Sequence, residues 1–186
     1  ATAAFNVMKA GDIIAVKQEG NAYVLRNIPE VSGGMVVQDP HTGRVLAMQG
    51  GFDVRLASYN RATQALRQPG SAWKLFVYLA ALEAGYTPAS EVVDEPVTIQ
   101  GWSPRNSNGT FAGKIDVRTA FAYSKNTVAA QLGNEVGFGQ VANMARRLGI
   151  TTPINTLPSM VLGSSDVRVI DMVRAFAAVQ AKGMSV

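Results

Sequence analysis

Ser71 and Lys74 stand one helical turn apart at the start of the most apolar segment of the sequence, Ser71 to Ala84. At that spacing both side chains lie on one helical face and can meet. A helix that is apolar on nearly every face is buried on nearly every face, so Lys74 has to be explained. An ammonium in such surroundings loses hydration and its pKa falls, and the positive end of a helix dipole pushes the same way. A lysine neutralised in this manner can take the proton of a serine hydroxyl. The N–H of Ser71, in a first turn whose donors lack intrahelical partners, is free to stabilise an oxyanion. The plainer reading makes Ser71 a helix N-cap and lets Lys74 run along the helix to solvent.

A second group lies 53 positions further on, at Ser124-Lys125-Asn126, between two helical patterns. A loop there can bring a hydroxyl and an amide against the first pair, the hydroxyl to relay a proton and the amide to hold a carbonyl. The competing structural role is again capping, which Ser and Asn commonly perform before a helix.

Other chemistries are excluded by composition. There is no cysteine, hence no disulfide, no thiolate metal site and no cysteine nucleophile. The single histidine, His41, argues against a histidine-based metal centre, and neither metal nor cofactor is expected. The net charge of +4 is spread out, with Arg44, Arg55, Arg61 and Arg67 scattered rather than clustered, so no nucleic-acid stripe is present. The longest apolar run, Leu75 to Leu82, is far short of the ~20 residues of a membrane span, and Ala1 to Ala10 lack the features of a signal peptide.

The elements that must position these residues can be outlined from pattern. Strands are expected at 12–16 and 22–25 about a turn at Glu19-Gly20-Asn21. A second hairpin is expected at 35–38 and 44–48, joined by Asp39-Pro40-His41-Thr42-Gly43. Gln68-Pro69-Gly70 leads into a helix over 71–84 that Gly85 closes. Residues 86–116 read as irregular with one strand at 96–100. Helices follow over 117–123, 126–136 and 138–148, then a loop over 151–165. A final helix over 166–182 places Val167, Ile170, Val173 and Phe176 on its apolar face. Helices follow a hairpin without βαβ alternation, so the fold class is α+β.

Arg67-Gln68-Pro69-Gly70-Ser71-Ala72-Trp73-Lys74 followed by Ser124-Lys125-Asn126 resembles the first two motifs of the penicillin-binding protein and serine β-lactamase superfamily. Asp39 to Met48, Tyr59 to Gln64 and Ala81 to Pro88 extend the likeness to the transpeptidase domain of class A penicillin-binding proteins, the bifunctional peptidoglycan synthases. It runs over about residues 28 to 183. The resemblance implies residues 1–27 as the end of a preceding linker or insert and 28–186 as the N-terminal part of the transpeptidase domain. It further implies Ser71 as nucleophile, Lys74 as its base, Ser124 as proton relay to the leaving amine, and Asn126 as a ligand of the donor peptide. The partners implied are D-alanyl-D-alanine stem peptides of peptidoglycan and the β-lactams that mimic them. The implied location is the periplasmic face of the bacterial cytoplasmic membrane, with the anchor in an upstream segment.

Two departures from the family pattern bear on function. The third motif, Lys-Thr-Gly on a strand, does not follow Asn126, and His41-Thr42-Gly43 matches a variant of it only in letters, in a hairpin turn before the nucleophile. The sequence therefore reads as a truncated piece of the fold, a hairpin and a helical lobe without closing strands. Little turnover is expected of it alone, and the hairpin at 35–48 is expected to offer an edge for self-association. No Asp or Glu lies between Glu135 and Asp166, which disfavours fast hydrolysis of an acyl-enzyme. The alternatives are a serine β-lactamase-like hydrolase and a non-catalytic β-lactam-sensing or assembly module.

Overall fold

The structure, a computed structural model, describes residues 8–27, 29–55 and 58–185. The first seven residues of the segment read as the end of a linker, and residue 28 at its boundary, lie outside the described residues. The chain divides into two units, residues 1–32 and 33–186.

The first unit is a hairpin of β1 (Ala15–Glu19) and β2 (Ala22–Arg26), antiparallel from Glu19↔Ala22 to Ala15↔Arg26. The two-residue turn at Gly20 and Asn21 fixes this register, so the first strand runs back from Glu19 over five residues. Its expected position at 12–16 is corrected accordingly.

The second unit begins with another hairpin, β3 (Met35–Gln38) paired antiparallel with β4 (Val45–Gln49). Its connector closes through Asp39 N–H to Arg44 C=O at 2.9 Å and Gly43 N–H to Asp39 C=O at 2.9 Å. Gly43 takes φ +71° there, which suits glycine. His41 is exposed at the tip and gives its backbone N–H to the Asp39 carboxylate at 2.8 Å. These bonds give His41-Thr42-Gly43 a full account as a turn.

At the centre of the unit lies α1 (Lys74–Glu83), packed against α3 (Asn126–Val136) and α4 (Phe138–Arg147). Trp73, Phe76, Val77, Ala80 and Ala81 are buried there with Val128, Leu132, Val141 and Ala145. The helix stops as its sequence requires: Gly85 takes φ +107°, and Tyr86 N–H reaches back to Ala81 C=O at 3.1 Å. A short helix, α2 (Val117–Ala122), precedes α3. The Asp116 carboxylate caps it by accepting the Thr119 N–H at 2.7 Å.

Several expectations are corrected in this unit. The stretch 86–116 holds an antiparallel pair, β5 (Glu91–Asp94) and β6 (Gly113–Asp116), read above as irregular. The strand expected at 96–100 does not form. Gln100 and Gly101, at φ +50° and +81°, turn the chain so that Ile99 pairs with Trp102 alone. Within 151–165, residues Pro158–Leu162 form a 3-10 turn. The last helix, α5, is Val169–Gln180. Its expected apolar face is also wrong in part: Phe176 is 47% exposed, whereas Asp171, Ala175, Ala177 and Ala178 are buried. Small residues let α5 approach closely. Asp171 is tolerated inside because Thr151 donates to it through Oγ1 at 2.6 Å and N–H at 3.3 Å. Val167 precedes the helix and pairs with Arg67 in an isolated bridge.

Candidate active site

Pro69 and Gly70 set the approach to Ser71. Gly70 takes φ +55° and opens a 3-10 turn, Gly70–Trp73, after which Lys74 begins α1. The expected helix over 71–84 therefore starts with a tighter turn, and Ser71 caps neither element. Its side chain is exposed, and its backbone N–H has no backbone acceptor among the described residues. The turn is held from both sides. Arg67 and Val167 exchange backbone hydrogen bonds at 3.0 and 2.9 Å, and Gln68 Nε2 donates to Ser164 C=O at 3.3 Å. Trp73 Nε1 donates to Met160 Sδ at 3.1 Å inside the core. Gly163, at φ +79°, lies so near Gly70 that a Cβ on it would fall 2.4 Å from the Gly70 carbonyl oxygen.

Lys74 does not run to solvent. It is 1% exposed, and Nζ donates to Ser124 C=O at 2.6 Å, Ser124 Oγ at 2.8 Å and Asn126 Oδ1 at 2.5 Å. Burial lowers its pKa from 10.5 to about 8. About a tenth of it is then neutral at pH 7, against a negligible fraction for a free lysine. The three bonds are not equivalent. A neutral amine has two N–H donors and one lone pair, and of the three partners only the Ser124 hydroxyl can turn to donate. Of these three partners, Ser124 Oγ is thus the one able to exchange a proton with Lys74.

Ser124 owes its position to the end of α2. Its N–H reaches Phe121 C=O at 3.0 Å, and Lys125 N–H reaches Ala120 C=O at 2.9 Å. This is the paired-bond helix ending in which glycine usually occupies the left-handed position. Here Ser124 fills it, at φ +53°, a conformation that costs a non-glycine residue about 1 kcal/mol. Asn126 is the first residue of α3, and its amide is committed on both sides: Oδ1 to Lys74, and Nδ2 to Arg105 C=O at 2.8 Å. Neither Ser124 nor Asn126 acts as a side-chain cap.

The structure therefore brings together Lys74, Ser124 and Asn126, with Ser71 one turn before Lys74. No hydrogen bond joins Ser71 Oγ to Lys74 Nζ among the described residues. Sequence reasoning missed the residues behind the Ser124–Asn126 turn. Asp94 at the end of β5 is buried and ion-paired with Lys125 at 2.8 Å, and Asn106 Oδ1 accepts the Asn126 N–H at 2.8 Å. The one signal available was Lys125 itself, a charge before an apolar helix that needs a partner; its position 31 residues upstream was not readable. No group of His, Asp or Glu able to hold a metal occurs among the described residues.

A turn bearing an exposed serine, a buried lysine and a Ser-x-Asn turn are thus brought to one helix end of an α+β fold. Residues 33–168 match the family of the penicillin binding protein transpeptidase domain. The chain is 40% identical over 186 residues to penicillin-binding protein 1A of Rickettsia typhi, covering 97% of this chain and 24% of the relative. It is 36% identical over 167 residues to that of Neisseria flavescens, covering 86% and 21%. The crystal structure of penicillin-binding protein 1A from Haemophilus influenzae superposes with a TM-score of 0.79 at 32% identity, covering 89% of this chain and 26% of that one. PonA1 of Mycobacterium tuberculosis gives 0.75 at 30%, covering 83% and 44%; that protein has also been solved in complex with penicillin V. The chain belongs to the penicillin-binding protein transpeptidase family. It spans about a quarter of the length of the curated relatives it matches.

Proposed function

We propose that this chain carries the nucleophile half of a peptidoglycan D,D-transpeptidase acting through a serine acyl-enzyme. The observation that supports it most is the exposed Ser71 placed one turn before a buried Lys74 whose ammonium is held by Ser124 and Asn126. In this reading Ser71 Oγ attacks the carbonyl of the penultimate D-alanine of a stem peptide, and its proton passes to Lys74. The C–N bond to the terminal D-alanine breaks while Ser124 hands a proton to the leaving nitrogen. An amine of a neighbouring stem then takes the acyl group from Ser71. The Ser71 N–H serves the oxyanion, and Asn126 holds the donor peptide. A β-lactam enters by the same attack: its ring C–N bond breaks, and the opened molecule stays on Ser71 as an ester.

Slow loss of that ester is part of the proposal. No carboxylate among the described residues bonds to the side chains of Ser71, Lys74, Ser124 or Asn126, so none is placed there to activate a deacylating water. This favours a transpeptidase over a hydrolase. Residues 1–27 are proposed as the end of a linker or insert, and the whole protein is placed at the periplasmic face of the cytoplasmic membrane, held by an anchor outside this chain. This chain alone is expected to turn over little substrate. Intact-mass spectrometry of the whole gene product after exposure to a labelled penicillin tests the reading. One adduct per chain, abolished by Ser71→Ala, is expected; no adduct, or one that survives Ser71→Ala, refutes it.

A further inference from the structure

The turn that presents Ser124 and Asn126 is held from behind by a cage around one carboxylate. Asp94 is 1% exposed, and each of its oxygens accepts two hydrogen bonds. Oδ1 takes Thr127 Oγ1 at 2.5 Å and Asn106 Nδ2 at 2.7 Å. Oδ2 takes the Ala112 N–H and Lys125 Nζ, both at 2.8 Å. Four donors saturate an ionised carboxylate, and no neutral side chain of that size could accept all of them. Two of the donors, Lys125 and Thr127, flank Asn126 in sequence. A third, Asn106, turns its other amide atom to the Asn126 N–H at 2.8 Å, and its neighbour Arg105 accepts the Asn126 side chain. Every residue from Lys125 to Thr127 is thus tied to Asp94 directly or through Asn106.

We propose that Asp94 is a positioning residue for the acyl-transfer site: through Lys125, Thr127 and Asn106 it fixes the strained Ser124 turn, so that Ser124 and Asn126 meet Lys74. Lys125, at the middle of the Ser-x-Asn triplet, faces the protein and not the substrate, its side chain being 11% exposed against Asp94. The inference rests on the transpeptidase reading and adds to it a residue that touches no reacting atom. The turn needs such support because Ser124 sits at φ +53°, where a residue other than glycine stays only if its surroundings over-determine it.

The test is the rate of acylation by a fluorescent penicillin, measured on the whole gene product and expressed per folded molecule, with circular dichroism reporting the fold. Asp94→Asn places an amide N–H₂ against the donors at Oδ2, and at least a tenfold slower acylation is expected. Lys125→Met is expected to lose as much, and Lys125→Arg, which keeps the ion pair, to recover most of it. A role in stability alone would lower the folded fraction and leave the rate per folded molecule untouched. If Asp94→Asn does not fold, Thr127→Val removes one of the four donors with little change in shape, and a loss of at least threefold is expected. Wild-type rates in folded Asp94→Asn or Thr127→Val, or failure of Lys125→Arg to recover what Lys125→Met loses, overturn the proposal while leaving the transpeptidase reading intact. A wild-type protein that forms no adduct overturns the transpeptidase reading and this one with it.

Discussion

At the scale of single residues the proposed acyl transfer turns on one buried amine. With a pKa of about 8, Lys74 is mostly protonated at neutral pH, and the neutral amine that the proposed mechanism uses to deprotonate Ser71 becomes more abundant as pH rises. Acylation by a penicillin should therefore increase about tenfold per unit at low pH and level off above a midpoint near 8, as stopped-flow measurements on the whole protein can show. A flat profile between pH 6 and 9 would remove Lys74 from the role of base. Asp94 behaves in the opposite sense. Burial opposes its ionisation, but the bonds from Lys125, Thr127, Asn106 and the Ala112 N–H outweigh it and bring its pKa down to about 2. Its folded pKa lies below the ordinary 3.8, so the stability it contributes is complete above about pH 4 and is lost as pH falls toward 2. Acid-induced unfolding followed by circular dichroism should show that window narrowed in Asp94→Asn. Tyr78, one turn after Lys74, is buried with a hydroxyl that has no partner among the described residues, and burial and the Asp94 charge both raise its pKa. Removing that hydroxyl relieves an uncompensated desolvation, so Tyr78→Phe is expected to stabilise the fold by about 1 kcal/mol in urea unfolding.

Elements place these residues by contacts between turns and less by the helices themselves. The 3-10 turn under Ser71 leans on Gly163, where an added Cβ would meet the Gly70 oxygen and nitrogen at 2.4 and 2.6 Å. Those are backbone atoms and cannot rotate away. Gly163 also holds φ +79°, so Gly163→Ala should cost roughly 2 kcal/mol from strain and displacement together, and should slow acylation because the turn that moves carries Ser71. Unaltered acylation in that variant would show that the contact does not set the nucleophile. The helices over 117–122, 126–136 and 138–147 were legible because their apolar period is regular. The turns were not. Nothing local announces that Ser124 ends α2 where glycine is usual, or that Asp94, beside Glu95-Pro96, closes a strand and accepts four bonds from three other segments. β5 and β6 were missed for a related reason: four-residue strands such as Glu-Val-Val-Asp give too short a pattern to separate from a loop. The site pairs Ser71–Lys74 and Ser124–Asn126 were readable because each is local in sequence; what joins them is tertiary, and only the resemblance of the two motifs together suggested it.

For the molecule as a whole, the hairpin of β3 and β4 has consequences beyond the site. Its strands, Met-Val-Val-Gln and Val-Leu-Ala-Met-Gln, contain no charge and no proline, the features with which edge strands usually resist pairing. Met35, Val37, Val45, Leu46 and Met48 are all exposed by more than two-fifths, and among the described residues the two strands pair only with each other. A two-stranded ribbon with apolar residues on its faces and open backbone donors on both edges is a template for further strands. The 186-residue chain by itself should therefore associate as its concentration rises through about 100 μM, a range in which exposed strands commonly aggregate. Light scattering is expected to show a mass that grows with concentration. Leu46→Lys should return it toward the monomer, because a charge on that strand would have to be buried by any partner. A mass that stays at one chain throughout, with or without the substitution, would mean that the hairpin's edges do not pair, and that the exposed apolar residues serve the fold in some other way.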